Sequence, residues 1–353
     1  MKKIFLAVVA LLAAAFAAFQ VPAVQDRLVG AVMKRNMDNR DRQALFADDA
    51  LRLLVCGSSS PFPSEDRARP CLAVIAGGKY YVVDTGPGSW NRMALLRMPG
   101  ERIGAVLLTH FHSDHIGDLG EFDMQTWVAG RPGPLPVYGP QGVERVVAGF
   151  NQAYELDHGY RVAHHGAEML KPESGVMKPI TAQIGEGLQP LFTDGDLRVS
   201  IFAVSHAPIH PAVGYRFDYK GRSIVISGDT VKDARVVAAS RGVDLLAHEA
   251  QNQDMVARLA ATAGSLDRPR LRKIFHDIPD YHTSPVEAAE VANEAGVKLL
   301  LVYHLTPPPP KALERRFLAG VSDIRPKGVA LARDGMLVEL PLAGGEPLVS
   351  RLR

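Results

Sequence analysis

Short runs of β-branched and other apolar residues recur after residue 50 and are separated by Gly and Pro turns, a pattern that predicts buried strands. Between them lie stretches with apolar residues at helical spacing, such as Gln141 to Tyr154. Strands interleaved with helices predict an α/β chain whose sheets are covered by helices. The predicted strands are Leu51 to Val55, Leu72 to Ile75, Tyr80 to Val83, Ala105 to Leu108, Val199 to Val204, Ser223 to Ile226 and Leu299 to Tyr303.

The first 23 residues have a different pattern. Lys2 and Lys3 precede an uncharged run from Ile4 to Phe19, and small residues follow as far as Ala23. This order predicts a signal peptide. An uncleaved membrane anchor is the alternative, because about 20 apolar residues are enough to span a bilayer. We therefore expect a periplasmic or secreted protein, which contacts a membrane only if this segment is retained.

Residues 24–49 form a stretch rich in Arg, Asn and Asp, which we interpret as a polar linker. Residues 50–353 are expected to form one catalytic domain, because they contain no repeat or long linker. The chain of 353 residues is 47% hydrophobic, which excludes intrinsic disorder. A homodimer is compatible with this sequence.

Charge and cysteine content narrow the classes of function. The formal net charge is +2, and removal of Lys2 and Lys3 with the leader would bring it to zero. A nucleic-acid partner is therefore not expected, because such proteins usually carry a basic excess. Cys56 and Cys71 are too few for a cysteine zinc site. They could form a disulfide in an oxidising compartment or remain two buried thiols.

The strongest chemical signal directly follows the predicted strand Ala105 to Leu108. There, four candidate metal ligands lie within six residues: His110, His112, Asp114 and His115. In an extended turn, residues two apart point the same way. His110 and His112 can therefore bind one metal ion while Asp114 and His115 turn toward a second.

This His-x-His-x-Asp-His sequence resembles the hallmark of the metallo-β-lactamase superfamily, and the resemblance covers nearly everything after Ala50. It implies an α/β fold, an αββα sandwich of two mixed β-sheets covered by helices. It also implies that Asp84 supports the site. Two zinc ions are implied, although manganese or iron would suit the same residues. The implied ligands are His110, His112 and His206 for one ion, Asp114, His115 and His304 for the other, and Asp229 as the bridge.

Within the superfamily, the chain is most similar to the ribonuclease Z and arylsulfatase branch. His282, in His282-Thr-Ser, precedes His304 by 22 residues, and Glu249 lies in His248-Glu-Ala. The resemblance implies that His282 donates a proton to the leaving group and that Glu249 orients it. The alternative is a core histidine beside the helix cap Ser284. The other supporting stretches are Gly139-Pro-Gln-Gly and Gly214-Tyr-Arg-Phe-Asp-Tyr, which leads to Ser227-Gly-Asp-Thr.

Two departures from ribonuclease Z shape the expected function. Only 22 residues separate His206 from Asp229, which leaves no room for a long tRNA-gripping arm. The export signal would also remove the protein from tRNA. We therefore expect a binuclear zinc hydrolase of a small-molecule ester, arylsulfatase-like or phosphodiesterase-like. A metal-bridging hydroxide would attack a sulfate or phosphate ester, and Asp114 would orient it or accept its proton.

Several alternatives are kept. A β-lactamase or lactonase would use the same hydroxide. Ribonuclease Z activity and a non-catalytic metal-binding module rank lower, the latter because binding alone needs no proton donor. Among other residues, His210 is expected either in the pocket or in solvent, His164 and His165 on a surface loop, and Trp127 in the core rather than stacked on a substrate.

Overall fold

The computed structural model describes residues 2–38 and 40–352. Its strands are β1 (Leu51–Gly57), β2 (Cys71–Ala76), β3 (Lys79–Val83), β4 (Ile103–Leu107), β5 (Leu135–Gly139), β6 (Met177–Thr181), β7 (Gln189–Asp194), β8 (Leu197–Ala203), β9 (Val213–Tyr219), β10 (Arg222–Ile226), β11 (Leu245–Gln251), β12 (Leu299–Thr306), β13 (Val329–Leu331), β14 (Met336–Leu340) and β15 (Leu348–Arg351).

The helices are α1 (Lys2–Phe19), α2 (Pro22–Met37), α3 (Arg40–Gln43), α4 (Ser89–Leu95), α5 (Ser113–Ile116), α6 (Leu119–Val128), α7 (Val143–His165), α8 (Ala234–Ala239), α9 (Gln253–Ser265), α10 (Pro269–Asp277), α11 (Pro285–Glu294), α12 (Glu314–Phe317) and α13 (Val321–Ile324). Short 3-10 helices lie at Ala44–Phe46, Gly100–Arg102, Pro172–Ser174, Ile278–Tyr281 and Lys311–Leu313.

The strands form two mixed sheets. One has the order β15-β14-β1-β2-β3-β4-β5-β6 and the other β13-β12-β11-β10-β9-β8-β7. In each sheet one half is antiparallel and the other half parallel, with β3 to β6 parallel in the first and β10 to β13 parallel in the second. Two mixed sheets flanked by helices confirm the predicted αββα sandwich.

Three apolar cores hold the four layers together. The first lies between the two sheets and includes Val74, Tyr215 and Leu301. The second lies between the first sheet and its helices, and the third between the second sheet and its helices. Both sheets are therefore buried on two faces, which explains why their central strands read as continuous apolar runs rather than as alternating ones.

The parallel strands determine where chemistry can occur. Loops at the carboxyl ends of neighbouring parallel strands meet at one edge of a sheet, where ligands commonly bind. Asp84 follows β3, the histidine-rich segment follows β4, and Asp229 follows β10. Because the two sheets pack face to face, these ends come together at one edge of the sandwich.

The seven predicted strands correspond to β1, β2, β3, β4, β8, β10 and β12. The helix expected over Gln141 to Tyr154 begins at Val143 and runs on to His165. His164 and His165 therefore lie on an exposed helix end, and their placement in a loop was wrong. Charged residues and histidines interrupt the second half of this helix, so the apolar spacing that marks its first half is weaker there.

The amino-terminal segment is helical. Helix α1 is long and apolar enough to cross a membrane, by length and composition only. Neither α1 nor α2 contains a buried residue. The stretch expected to be a linker includes most of α2, and Phe46 at its end packs against Tyr80 with ring centroids 6.3 Å apart. The division of the chain into leader, linker and catalytic domain remains a prediction.

Cys56 in β1 and Cys71 in β2 form a disulfide, which is one of the two alternatives left open by the sequence. These two strands pair in antiparallel register, and Gly57 lies opposite Cys71. The bond therefore links neighbouring strands that the sheet already holds together.

Candidate metal centre

The histidine-rich segment lies between the end of β4 and the short helix α5. His110, Asp114 and His115 are buried, and His112 is half-buried. His110 Nε2 lies 2.9 Å from His112 Nδ1. Asp114 and His115 lie in the first turn of α5, and the ring of His115 lies 4.1 Å from the ring of His110 between centroids.

The second sheet contributes the remaining candidate ligands. His206 follows β8, Asp229 follows β10, and His304 lies within β12. In the pairing of β11 with β12, Tyr303 faces Glu249 and Leu305 faces Ala250, so His304 is the extra residue of a bulge. Bulges near active sites redirect side chains. His304 was expected to end its strand; the strand instead continues to Thr306, and the bulge brings the imidazole into the site.

All seven predicted ligands come together, with Asp229 at the centre. Its Oδ2 lies 3.2 Å from His304 Nε2 and 3.3 Å from His115 Nε2. The same oxygen lies 3.9 Å from Nε2 of both His110 and His206. The side chains fall into two groups able to hold a metal ion, His110 with His112, His206 and Asp229, and Asp114 with His115 and His304.

Several buried atoms of the cluster have no hydrogen-bond partner among the described residues. They are Nε2 of His115, Nε2 of His206, Oδ1 of Asp229 and Nδ1 of His304. A buried polar atom without a partner is costly. Imidazole nitrogens and carboxylate oxygens grouped in this way are the ligands that divalent zinc prefers. The residues present therefore fit a divalent metal site.

Hydrogen bonds behind the cluster orient two of its imidazoles. His115 Nδ1 donates to Asp84 Oδ2 over 2.8 Å, and His206 Nδ1 donates to the backbone oxygen of Tyr281 over 2.9 Å. Asp84 also accepts bonds from the backbone nitrogen and hydroxyl of Thr109, both 2.8 Å. In both histidines Nε2 is thus left to face a metal ion, the usual arrangement behind metal-ligating histidines.

The protonation tendencies of the cluster reflect its carboxylates. Burial lowers the pKa of His110 well below its usual value. Burial alone would also lower the pKa of His115, but the carboxylates of Asp229, Asp114 and Asp84 raise it well above that value. Burial opposes ionisation of Asp229, yet the surrounding histidines, His304 first, hold its pKa well below the usual range. A metal cation would complement this concentration of negative charge.

Backbone strain accompanies two of these positions. Asp84 has φ of 60° and His304 has φ of 46°, in the left-handed region that non-glycine residues seldom adopt. Such residues typically cost about 1–3 kcal/mol and persist where the surrounding structure fixes them. Here one strained residue orients a ligand and the other is a candidate ligand.

His282 and Glu249 form a buried pair beside the metal ligands. His282 Nδ1 donates to Glu249 Oε1 over 2.9 Å. The same oxygen accepts bonds from the backbone nitrogens of Thr230 and Thr283, at 3.2 and 3.1 Å. His282 also lies close enough to Asp229 and His304 to form a group with them. Burial would lower the pKa of His282, but Glu249 and the other nearby carboxylates raise it.

Ser284 and Glu287 form a capping box at the start of α11, so the cap beside His282 is complete without the histidine. Whether His282 donates a proton or only packs beside this cap stays a prediction. His210 is exposed, while Trp127 is buried and its Nε1 donates to the backbone oxygen of Lys171. Trp127 therefore packs in the core, as expected.

Tyr281 was missed by the sequence analysis. Its carbonyl oxygen orients His206, and its half-buried ring lies 4.8 Å from the ring of His206 between centroids. The available signal was its position directly before His282. That signal is weak, since the main contribution of Tyr281 to the site is a backbone atom that any residue supplies.

Known proteins with similar sequences show which family this chain belongs to. The family model described as the Beta-lactamase superfamily domain matches residues 79–305. A ribonuclease Z of Mycobacterium bovis (strain BCG / Pasteur 1173P2) is 36% identical over 260 residues, which cover 73% of this chain and 86% of that protein. A ribonuclease Z of Mycobacterium sp. (strain KMS) is 33% identical over 293 residues, covering 82% and 96%.

Solved structures show the same fold. The metallo-beta-lactamase fold protein YhfI from Bacillus subtilis has a TM-score of 0.60 at 22% identity, covering 82% of this chain and all of that one. The short form of human tRNase Z has a TM-score of 0.57 at 21% identity, covering 82% and 99%. At these identities the likeness concerns the fold.

Proposed function

Because the chain belongs to the metallo-β-lactamase superfamily, in its ribonuclease Z-like branch, we propose that it hydrolyses phosphodiester bonds of RNA. That it is a metal-dependent hydrolase follows from the superfamily and from its ribonuclease Z relatives. The observation that carries the proposal is the pairing of His282 with Glu249 beside the metal ligands. A proton donor at this place suits a substrate whose leaving group is a poor one, such as a ribose hydroxyl.

The expected arylsulfatase-like or other small-ester activity was wrong, and so was the expectation that nucleic acid is not a partner. Relatives at 33–36% identity over most of the chain are ribonucleases Z and point to RNA. Two inferences misled the sequence analysis. Net charge is an average over the chain and does not report local clusters of cations. The short interval between His206 and Asp229, which contains β9 and β10, excludes only one way of holding RNA.

We propose two zinc ions per chain, as the sequence analysis expected. His110, His112 and His206 would hold one ion, Asp114, His115 and His304 the other, and Asp229 would contact both. Bound divalent ions of this kind supply hydroxide near neutral pH and stabilise negative charge on a phosphoryl group. Seven candidate ligands support two ions, because a single tetrahedral ion uses only four.

The protein's own side chains would then position and protonate the substrate. Glu249, fixed by two backbone N–H groups, holds Nδ1 of His282, so Nε2 is the atom left to carry a proton to the departing ribose oxygen. The carboxylate of Asp114, 3.4 Å from His304 Nε2, would orient the attacking water or accept its proton. Asp84 orients the imidazole of His115, and the carbonyl of Tyr281 orients that of His206.

The identity of the nucleophile, water or the ribose 2′-hydroxyl, tests this mechanism. The metal-loaded full chain is incubated with a tRNA precursor, and with the same RNA carrying a single 2′-deoxyribose at the cleaved linkage. Hydrolysis by water predicts cleavage of both RNAs, because no 2′-hydroxyl is needed. Resistance of the deoxy-substituted RNA would mean that the ribose hydroxyl is the nucleophile and would refute this role for the site.

We further propose that α1 serves for export or anchoring, which would place the enzyme outside the cytoplasm. The natural substrate would then be RNA present there, and the tRNA precursor in these experiments serves as a test RNA. Its basic start and apolar run support this, as does the Cys56–Cys71 bond, since disulfides persist in oxidising compartments. Cell fractionation combined with the mass of the amino-terminus tests the proposal. Recovery in the cytoplasm of a soluble chain still beginning at Met1 would refute it.

A further inference from the structure

A helical hairpin connects the strand that carries Glu249 with His282. It consists of α9 and α10, and we call residues 253–277 the basic hairpin. Both of its ends are fixed at the site. The backbone nitrogen of Gln251 donates to the backbone oxygen of Thr283 over 2.8 Å, and the carbonyl of Tyr281 accepts the bond from His206. The residues on either side of the basic hairpin are thus fixed next to the metal cluster.

Cations are concentrated on its second helix. Residues 268–276 contain four, Arg268, Arg270, Arg272 and Lys273, and no carboxylate. All four are exposed, and α10 contains no buried residue. Within the described parts of the chain, only Lys273 among them forms an ion pair, with Asp277 at 2.7 Å. Exposed cations without carboxylate partners attract phosphates without a cost for breaking ion pairs.

Aromatic rings lie between these cations and the metal cluster. Phe275 of α10 stacks on Phe62, with ring centroids 5.7 Å apart and an angle of 17° between the planes. Phe62 belongs to the loop after β1, and the backbone oxygen of Ser58 in that loop accepts a bond from Leu305, next to His304. Tyr281 completes the path with its ring against His206. Proteins that hold single strands combine such rings with a cationic surface.

We propose that the basic hairpin binds the RNA strand that enters the metal site. Arg268, Arg270 and Arg272 would contact its phosphates, and Phe275 with Tyr281 would border the bases. This inference rests on the proposed function and deepens it, because it supplies a surface for RNA where the His206–Asp229 interval is too short for an arm. RNA is favoured over an anionic membrane because both ends of the hairpin are fixed at the catalytic site.

The membrane is nevertheless the rival to be tested, since α10 also exposes Leu271 and Ile274 beside its cations. The test uses the metal-loaded full chain and a triple charge reversal, Arg268→Glu, Arg270→Glu and Arg272→Glu. The control changes the same number of charges at exposed positions elsewhere, Lys178→Glu, Arg198→Glu and Arg241→Glu. Substrates are a tRNA precursor and bis(p-nitrophenyl) phosphate, a small reporter of the chemistry alone.

Loss of three phosphate contacts predicts at least about a tenfold rise in KM for the RNA relative to the control. The dependence of log KM on log salt should become shallower by about 2, since each contact to a single strand contributes about 0.7. Hydrolysis of the reporter should change by less than about threefold, because its single phosphate would be held by the metal cluster and leaves none for the cations of the hairpin.

The outcomes separate this inference from the function on which it rests. If the wild-type chain cleaves RNA and the triple variant matches the control, the basic hairpin does not bind RNA and the proposed function stands. If the wild-type chain hydrolyses the reporter but neither binds nor cleaves RNA, both proposals fail.

The membrane alternative is tested by measuring how the wild-type chain and the triple variant bind vesicles. Vesicles of equimolar phosphatidylcholine and phosphatidylglycerol are compared with neutral vesicles, which corrects for binding through α1. If the triple variant loses binding to the anionic vesicles alone and its KM for RNA is unchanged, α10 binds a membrane and the inference is overturned.

Discussion

The metal cluster and the basic hairpin are built in opposite ways, although only the short 3-10 helix Ile278–Tyr281 separates the hairpin from the residues at the site. Six of the seven candidate ligands are buried, and both sheets contribute to their placement. Helix α10 has no buried residue and carries its cations in solvent. Hydrolysis requires reacting groups fixed within a fraction of an ångström, which packing provides, whereas attraction of a polyanion requires only a local density of charge.

This difference predicts two classes of variant. Changes in the cluster should reduce turnover of RNA and of the small reporter together, because both substrates use the same chemistry. Changes in the basic hairpin should affect RNA alone. A cluster variant that affects only RNA, or a hairpin variant that affects both substrates, would contradict this division.

Asp229→Ala should have the largest effect. Asp229 Oδ2 lies within 3.9 Å of four candidate imidazole ligands, so its loss removes the group proposed to contact both ions. We expect turnover of both substrates to fall to background and the zinc content, measured by elemental analysis, to drop below two ions per chain. Retention of two ions by this variant would refute the bridging role.

His282→Ala should lower RNA turnover by about 10²–10⁴-fold, the usual contribution of a general acid. The loss should be much smaller for bis(p-nitrophenyl) phosphate, whose leaving group is already a stable anion. Zinc content should stay at the wild-type value. Equal losses for the two substrates, or loss of metal, would make His282 a structural residue or a ligand.

Asp84→Asn should have an intermediate effect. The substitution keeps the size of the side chain but weakens its bond to His115 Nδ1. Partners of metal-ligating histidines typically contribute about 10–100-fold to metal affinity. Zinc affinity, measured by competition with a chelator, should fall by that factor, while the exposed Asp196→Asn should leave it unchanged. If Asp84→Asn binds zinc as tightly as wild type, the orienting role of Asp84 is wrong.

Ser284→Ala should have the smallest effect and serves as the neighbour control for His282. Its hydroxyl caps α11 by accepting from the backbone nitrogen of Glu287, and loss of such a cap costs about 1 kcal/mol. We expect the free energy of unfolding, measured in urea, to fall by about that amount. Turnover should change by far less than in His282→Ala; a comparable loss would show that position 282 acts through the local backbone.

The sequence predicted the centre of the molecule better than its margins. The histidine-rich segment and the central strands follow local patterns that leave few alternatives, whereas the partnership of His282 with Glu249 was implied by the resemblance to a family. The edge strand β6 has one buried residue and the edge strand β15 has none, so neither gives an apolar run. The bulge at His304 and the contact of Tyr281 with His206 depend on strand register and on a distant backbone atom. Such features arise from tertiary packing and leave no periodic signal.

The error about nucleic acid has a related cause. Over the whole chain, 40 Lys and Arg residues nearly balance 38 Asp and Glu residues, so net charge gives no sign of a polyanionic partner. The structure distributes them unevenly, with Arg270, Arg272 and Lys273 on the exposed helix α10 and Arg268 directly before it. Local charge, rather than net charge, decides whether a phosphate chain is attracted.

The most direct test of the central claim is cleavage of a tRNA precursor by the full-length protein before and after metal removal. The account predicts cleavage by the zinc-loaded chain, none after chelation, and recovery when two zinc ions per chain are returned. Cleavage that persists in the chelated protein, or intact RNA in the presence of a zinc-loaded protein that still hydrolyses bis(p-nitrophenyl) phosphate, would contradict it.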